Sequence, residues 1–372
     1  MPVRRLPANP DLAYLKYQAK DLRKAHAACQ PDAAQRLREF LPRFLHSTDG
    51  EIFASPLTLS GAQLAIAREY GFPSWTRLKR HVENKKPTES DLLNLPLHER
   101  IEDANFRRAV DLIDAGDVAG LRAHLKQYPK LAQQHVEFEG GNYFRNPSLL
   151  EFIAENPVRH GRLPNNIVEV AKAILDAGVE TAALSETLML VATGSVAREC
   201  GQQIPLINLL CDHLLRNHGA DLARAALLAA QLHELASVNA LLDRGAPLTL
   251  PIAAALGRLA DARRLLPDAN SNDRHLALPL AADHGHAEIV RLLLDAGEDP
   301  NRYNPVGGHS HATPLHQAAG AGHAAVVHLL VERGGRLDMK DILWQAIPAD
   351  WANHAGQKEI EDYLRKKAKN EI

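Results

Sequence analysis

Apolar residues recur at three- and four-residue spacing along most of this 372-residue chain, the period of amphipathic helices rather than of strands. The clearest stretch starts at Thr313 and reads T-P-L-H-Q-A-A-G-A-G-H-A-A-V-V-H-L-L-V-E-R-G-G. Thr313 is placed to cap a helix whose first turn holds Pro314, where a missing N–H costs nothing. Gly322 suits the left-handed residue that stops this helix, and His316 is expected to bond locally and steady its start. Val326, Val327, Leu329 and Leu330 give a second helix its apolar face, and Gly334 stops it. Leu278 to Gly297 repeats the pattern, with Gly285 and His286 standing where Gly322 and His323 stand, 37 residues earlier.

Helix, tight turn, helix and glycine stop, opened by T-P-L-H, closely resemble the ankyrin-repeat family. The resemblance implies an all-α ankyrin-repeat solenoid in which each helix pair buries its apolar face only against its neighbours. Repeats of that family run about 33 residues, so the 37-residue spacing leaves roughly four extra in 301–312. Paired Leu or Ile at helical spacing marks weaker second helices at Val118 to Tyr128, Val168 to Gly178, Leu235 to Gly245 and Leu259 to Leu266. About seven or eight partly degenerate repeats are predicted between Phe106 and Leu364. Ala225 to Leu266 looks eroded, because 24 residues between His233 and Gly257 leave little room for a hairpin, and Thr181 to Gly219 looks expanded by Gly201 to Pro205. Pro348 to Leu364 reads as the final repeat, with Lys366 to Lys369 as a polar end.

A different pattern precedes the repeats. Leu12 to Ala28 and Ala33 to Leu45 are helix-periodic, a Ser60 to Gln63 capping box opens Ser60 to Tyr70, and Ser74 to Val82 follows a Gly71, Pro73 break. Four short helices are expected. L-P-A-N-P-D-L-A-Y-L-K-Y-Q-A-K-D-L and Q-L-A-I-A-R-E-Y-G-F-P-S-W-T-R-L-K resemble an N-terminal accessory segment of bacterial ankyrin proteins and of some unrelated enzymes, which implies a bacterial source. The division predicted is a basic helical module over 1–86, a linker over 87–100 containing Pro87 and Pro96, and the array over 101–372.

Composition agrees with helix: 45% of residues are hydrophobic, only 5% are aromatic, and Ala and Leu dominate. Charge separates the two parts, since residues 1–86 hold 15 Lys and Arg against 8 Asp and Glu while the whole chain is at net -2. Arg77, Lys79, Arg80, Lys85 and Lys86 gather near Trp75, which raises nucleic acid as a partner. No recognition-helix pattern accompanies them, so a solvated face is preferred. Cys29, Cys200 and Cys211 show neither a disulfide framework nor metal-knuckle spacing, and the cytoplasm is the expected home. No apolar core follows Arg4 and Arg5 and no eighteen apolar residues run together, so neither secretion nor a membrane is expected.

Function in such an array is expected on the loop edge and the concave face lined by first helices. Candidate binding residues are Tyr303, Asn304, His309 and His311 in the long loop 301–312, Gln317 behind it, Asp341 and Trp344 in the next loop, and Trp351 and His354 in the following first helix. Exposed Tyr and Trp carry binding energy because they remove much apolar area with few rotors to freeze. Trp344 and Trp351 fit equally well a plug over the last repeat interface. A loop at His135 to Ser148, with Phe138, Gly140, Gly141, Tyr143 and Phe144, is a further candidate. Of the 19 histidines, nine fall late in the chain; among these His286, His316, His323 and His328 have structural explanations, leaving His275, His284, His309, His311 and His354. The His309 and His311 pair could hold a metal with Asp341 or His354 as third ligand. There is no G-x-S-x-G, H-E-x-x-H or phosphate loop. The reading is therefore a binding protein for a protein or peptide partner, with no cofactor. The alternative is a small-ligand or catalytic groove near residues 301–354, metal-assisted through His309 and His311.

Overall fold

A computed structural model describes residues 6, 12–83, 101, 103–137, 146–155, 158–216, 222–306 and 308–370. The expected linker 87–100 and residues 138–145 of the His135 to Ser148 loop lie outside these, as does Gly307. Two compact units are present, Met1–His218 and Gly219–Ile372, so a division falls inside the stretch expected as one array. Every regular element among the described residues is helical, and the strand-like pairing is one isolated antiparallel bridge between His135 and Ser148. The described residues are all-α, as expected of a helical solenoid.

In the first unit, α1 (Leu12–Ala27), α2 (Pro31–Phe40), α3 (Asp49–Ala54), α4 (Leu59–Glu69) and α5 (Trp75–Val82) close around Leu15, Leu22, Leu37, Phe44, Ile52, Ile66 and Leu78. Arg36 clamps buried Glu69 through Nε at 2.6 Å and Nη2 at 3.0 Å, tying α2 to α4. Two differences from the sequence reading are local. The α4 cap is Thr58, whose Oγ accepts the Gly61 N–H at 3.1 Å, and not Ser60. Among the described residues five α-helices replace the expected four, because six-residue α3 is too short to show a period and is nucleated by a Thr48 to Glu51 capping box.

Three helix pairs follow in the same unit. Helices α6 (Ala104–Ala115) and α7 (Val118–Gln127) are capped by Asp103 and Asp117. A short 3₁₀ turn at Leu150–Ala154 stands before α8 (Ile167–Asp176). Helix α9 (Thr181–Thr193) reaches α11 (Gln203–Arg216) through the extra turn α10 (Ser195–Glu199), so the added residues precede Gly201 to Pro205, where the expansion was expected and where α11 already begins.

Among the described residues the second unit contains five pairs: α12 (Leu222–Gln231) with α13 (Leu235–Asp243), α14 (Leu250–Ala255) with α15 (Leu259–Leu265), α16 (Ser271–Asp283) with α17 (Ala287–Asp295), α18 (Pro314–Ala321) with α19 (Ala324–Glu332), and α20 (Pro348–His354) with α21 (Lys358–Asn370). The stretch from His233 to Gly257 that looked too short for a hairpin holds α13 and α14, because α14 shrinks to six residues. Helix α18 is buried nearly all round, from Pro314 to Ala319, and α14 throughout, whereas α12 and α20 bury only part of their residues. Second helices bury one stripe, Ile289, Val290 and Leu293 in α17 and Val326, Val327, Leu329 and Leu330 in α19. These stripes join Leu250, Leu278, Leu315, Ile360 and Leu364 in one core running from α14 to α21. Truncating Leu330 to Ala would remove about 2–5 kcal/mol.

The T-P-L-H motif does what its chemistry requires. His316 is buried, its Nδ1 lies 2.8 Å from Thr313 Oγ and accepts the Thr313 N–H at 3.2 Å, and its Nε2 donates to the Ala346 carbonyl at 3.1 Å. Burial holds this imidazole below its ordinary pKa. The same ring thus starts α18 and fixes the loop of the next repeat. His286 and His323 are structural too, bonding Ala255 O at 3.0 Å and Asp283 O at 2.8 Å.

Candidate partner-binding edge

Two neighbouring loops of the second unit gather most of the candidate residues. In the first, Asn304 N–H donates to Ala312 O at 2.8 Å, Ala312 N–H donates to His309 O at 2.9 Å, and His309 adopts the left-handed φ of 55°. The segment is therefore a closed, internally bonded loop. It is sewn to the second by Tyr303 Oη, which donates to Lys340 O at 2.6 Å, and by Ile342 N–H, which donates to His311 O at 2.8 Å.

Asp341 organises the second loop. Fully buried, its Oδ1 accepts the N–H groups of Leu343 at 2.9 Å and Trp344 at 2.6 Å, and its Oδ2 accepts those of Ala346 at 3.3 Å and the Trp351 indole at 2.9 Å. Burial alone would raise this carboxyl's pKa, but the accepted hydrogen bonds outweigh it and hold the group below the usual range. With both oxygens filled, Asp341 is neither a third metal ligand beside His309 and His311 nor a base partner for His311.

Around this anchor the aromatic rings form one cluster. His311 meets Trp344 edge-on at 5.1 Å between centroids and Trp351 at 5.7 Å, Trp344 meets Trp351 at 6.0 Å, and Trp351 meets His316 at 5.4 Å. Trp351 is half-buried against Gly320. Trp344 is 67% exposed, and Ile342 and Leu343 beside it are 56% and 62% exposed. A plug would be covered; Trp344 stands outside the core instead.

The nine candidates thus separate by placement. Asn304, Gln317 and Asp341, expected among the contact residues, are buried. The Asn304 amide donates to Gln317 Oε1 at 2.8 Å, so these three support the loops from behind. Tyr303, His311 and Trp351 are half-buried, while His309, Trp344 and His354, the last in the final turn of α20, are exposed. His309 and His311 lie 5.7 Å apart between centroids, and burial, then the neighbouring His309, pushes the His311 pKa down. Among the described residues, the group of three potential ligands close enough to share an ion is His233, Asp283 and His284, not this pair.

Sequence reading missed Ile342, Leu343 and Val306, the last 92% exposed. The signal was present as D-I-L-W, an apolar run outside any helical period. Elsewhere, Arg77 and Arg80 of the basic module are half-buried and Lys79 is exposed, so the charge is only partly displayed. A cavity of about 1060 Å³ in the first unit is lined by Arg38, Arg68, Arg107, Asp111, His124 and Tyr128 among others, and by no residue of 301–354. No helix among the described residues is long and apolar enough to cross a membrane.

The paired helices, left-handed glycine turns and His316 clamp define a repeat protein, and the chain belongs to the ankyrin-repeat family. A family model described as ankyrin repeats, in three copies, matches residues 250–341. Cyclin-dependent kinase 4 inhibitor B of Bos taurus is 34% identical over 125 residues, 32% of this chain and 92% of that protein. Its counterpart in Rattus norvegicus is 33% identical over 128 residues, 33% of this chain and 95% of that protein. Cyclin-dependent kinase inhibitor 2A of Homo sapiens is 34% identical over 122 residues, 31% of this chain and 74% of that protein.

Proposed function

We propose that the protein is a binding module that holds a protein or peptide partner on the edge formed by the loops 301–312 and 335–347. The observation that carries this is the exposed run Ile342, Leu343, Trp344 at the tip of a loop whose backbone Asp341 locks from inside. Exposed apolar side chains in a row mark contact surfaces. A tip already fixed in place loses little entropy on binding, so more of its buried area counts toward affinity. The relatives, inhibitors of cyclin-dependent kinases by name, support a protein partner and make a kinase the first bait.

The protein acts by contact rather than catalysis, since Asp341 is committed to four donors and pairs with no imidazole as acid or base. The small-ligand groove near residues 301–354 is the weaker reading for the same reason. The basic module 1–86, the linker 87–100 and the array 101–372 are retained as the functional division, with the first as an accessory segment of the bacterial kind. A reducing compartment such as the cytoplasm is supported by the cysteine pattern, three in all at Cys29, Cys200 and Cys211, an odd number without disulfide-framework spacing.

Affinity capture with the full chain, run beside melting curves, tests this. Trp344→Ala and Leu343→Ser are expected to lose the captured partner, a kinase or otherwise, while melting changes by less than about 0.5 kcal/mol equivalent. Retained capture in both variants overturns the assignment of this edge.

A further inference from the structure

We propose that His233, Asp283 and His284 form a binding site for one divalent transition-metal ion, with zinc the best fit to two imidazoles and a carboxylate. Each residue offers one ligand atom, and the three atoms lie within 4.8 Å of one another. Ligands around a tetrahedral zinc sit roughly 3.3 Å apart, as bonds of about 2.0–2.1 Å require. His233 Nε2 and Asp283 Oδ2 are already 2.9 Å apart, so the ion needs a modest rearrangement.

His284 is prepared for a ligand's role. Its Nε2 donates to the Ala230 carbonyl at 2.8 Å, which fixes the tautomer and leaves the Nδ1 lone pair available, as metal-bound histidines are commonly held. Asp283 ends α16, and its backbone carbonyl accepts a hydrogen bond from His323 Nε2 at 2.8 Å. His233 is exposed. Its ring stacks on His284 with centroids 4.0 Å apart and planes 27° apart, so it is the member that turns to bring its lone pair to the ion.

The backbone at His233 is a separate observation. The turn between the two helices of a pair is made by Gly257, Gly285, Gly322 and Gly356 in the four following pairs, all at φ between 68° and 85°. In the first pair this position is His233, at φ 60°. A side chain in the left-handed region costs about 1–2 kcal/mol that glycine avoids, so the turn itself does not call for histidine. Strain of this kind gathers where a side chain has other work, and here the imidazole reaches Asp283 and His284.

The test uses the full chain, stripped with a chelator and titrated with zinc by calorimetry and by melting. Wild type is expected to take one zinc and melt higher with it. His233→Gly, which removes a ligand and suits the left-handed backbone, is expected to fold with an unchanged or higher zinc-free melting temperature and to lose zinc affinity at least about tenfold. Asp283→Asn provides a second ligand variant should the glycine change disturb the turn. His309→Ala with His311→Ala is expected to keep the zinc. The proposal is overturned if wild type takes no zinc, if both ligand variants bind it like wild type, or if only the His309 and His311 variant loses it.

Discussion

The His323 imidazole lies over Gly285, so close that a Cβ on that glycine would stand 2.6 Å from His323 Nδ1. His286 covers Gly257 in the same way, also at 2.6 Å, and Gln357 covers Gly322 at 2.8 Å. The residue after each turn glycine therefore packs on the turn glycine of the preceding pair, and this contact sets how closely successive pairs stack. Glycine is required twice here, for its positive φ and for the space.

These two requirements can be separated by comparing turn glycines. Gly297 has φ 93° with nothing near an added Cβ, whereas Gly285 has φ 79° and the histidine above it. Gly297→Ala is expected to cost about 1 kcal/mol, the backbone term alone. Gly285→Ala should cost about 1–3 kcal/mol more, since His323 is tied to Asp283 O and cannot yield freely. Gly322→Val should also exceed about 1 kcal/mol. Denaturant unfolding measures all three, and equal losses at 285 and 297 would show that the contact does not set the stack.

Asp341 should behave as a scaffold and not as a contact residue. Asp341→Ala removes the acceptor of four N–H groups, and a buried donor left without a partner costs about 1–3 kcal/mol. The variant is expected to lose stability of that order and to lose partner capture, whereas Trp344→Ala loses capture alone. Hydrogen exchange at Leu343, Trp344 and Ala346 gives an independent reading: protection there should fall in Asp341→Ala and persist in Trp344→Ala. Unchanged protection in Asp341→Ala would mean that the tip is held by something else.

The helix pairs were legible because their signals are local. T-P-L-H, Gly322 and the Val326 to Leu330 stripe each act within a few residues, and the sequence shows them directly. The small helix α14 was not legible, since six residues are near the limit at which periodicity can be read, although its partner α15 was marked by Leu259 to Leu266. Site residues were legible by type but not by direction. Asn304, Gln317 and Asp341 are polar residues in or beside loops, which suggests contact, yet their partners across 10 to 13 positions turn them inward. The grouping of His233 with Asp283 and His284 spans 50 residues and follows from the stacking of helix pairs, which a single sequence does not display.

The basic module provides a charge test. If residues 1–86 bound nucleic acid, affinity would fall steeply with salt and with loss of Arg77, Lys79 and Arg80. Arg77 and Arg80 are half-buried, so the expected result is no complex with DNA or RNA at physiological salt. A salt-dependent complex of micromolar affinity or tighter, weakened in the triple variant, would reverse this.

Acid sensitivity should trace in part to His284. Its folded pKa is about 4 against an ordinary value of about 6.5. Between these values the unfolded chain holds a proton that the folded chain does not, so stability falls as pH falls from about 6.5 toward 4, by up to about 1.4 kcal/mol per pH unit for this group. The charged or titratable neighbours are His233, Asp283 and His286, and of these only Asp283 favours the protonated ring. Buried His316 shifts the same way. His160 runs oppositely, because its hydrogen bond to Asp114 raises its pKa, and its contribution is lost as pH rises through that raised value. Asp341, held low, adds a loss at still lower pH as it is protonated. His284→Gln removes the titrating group while an amide can still donate to Ala230 O. Melting in chelator-treated buffer at pH 7, 6 and 5 should therefore give a shallower decline for His284→Gln than for wild type, even if the variant is less stable at pH 7. Parallel declines would assign the acid sensitivity to other groups and leave the His233 and His284 stack without the depressed pKa described above.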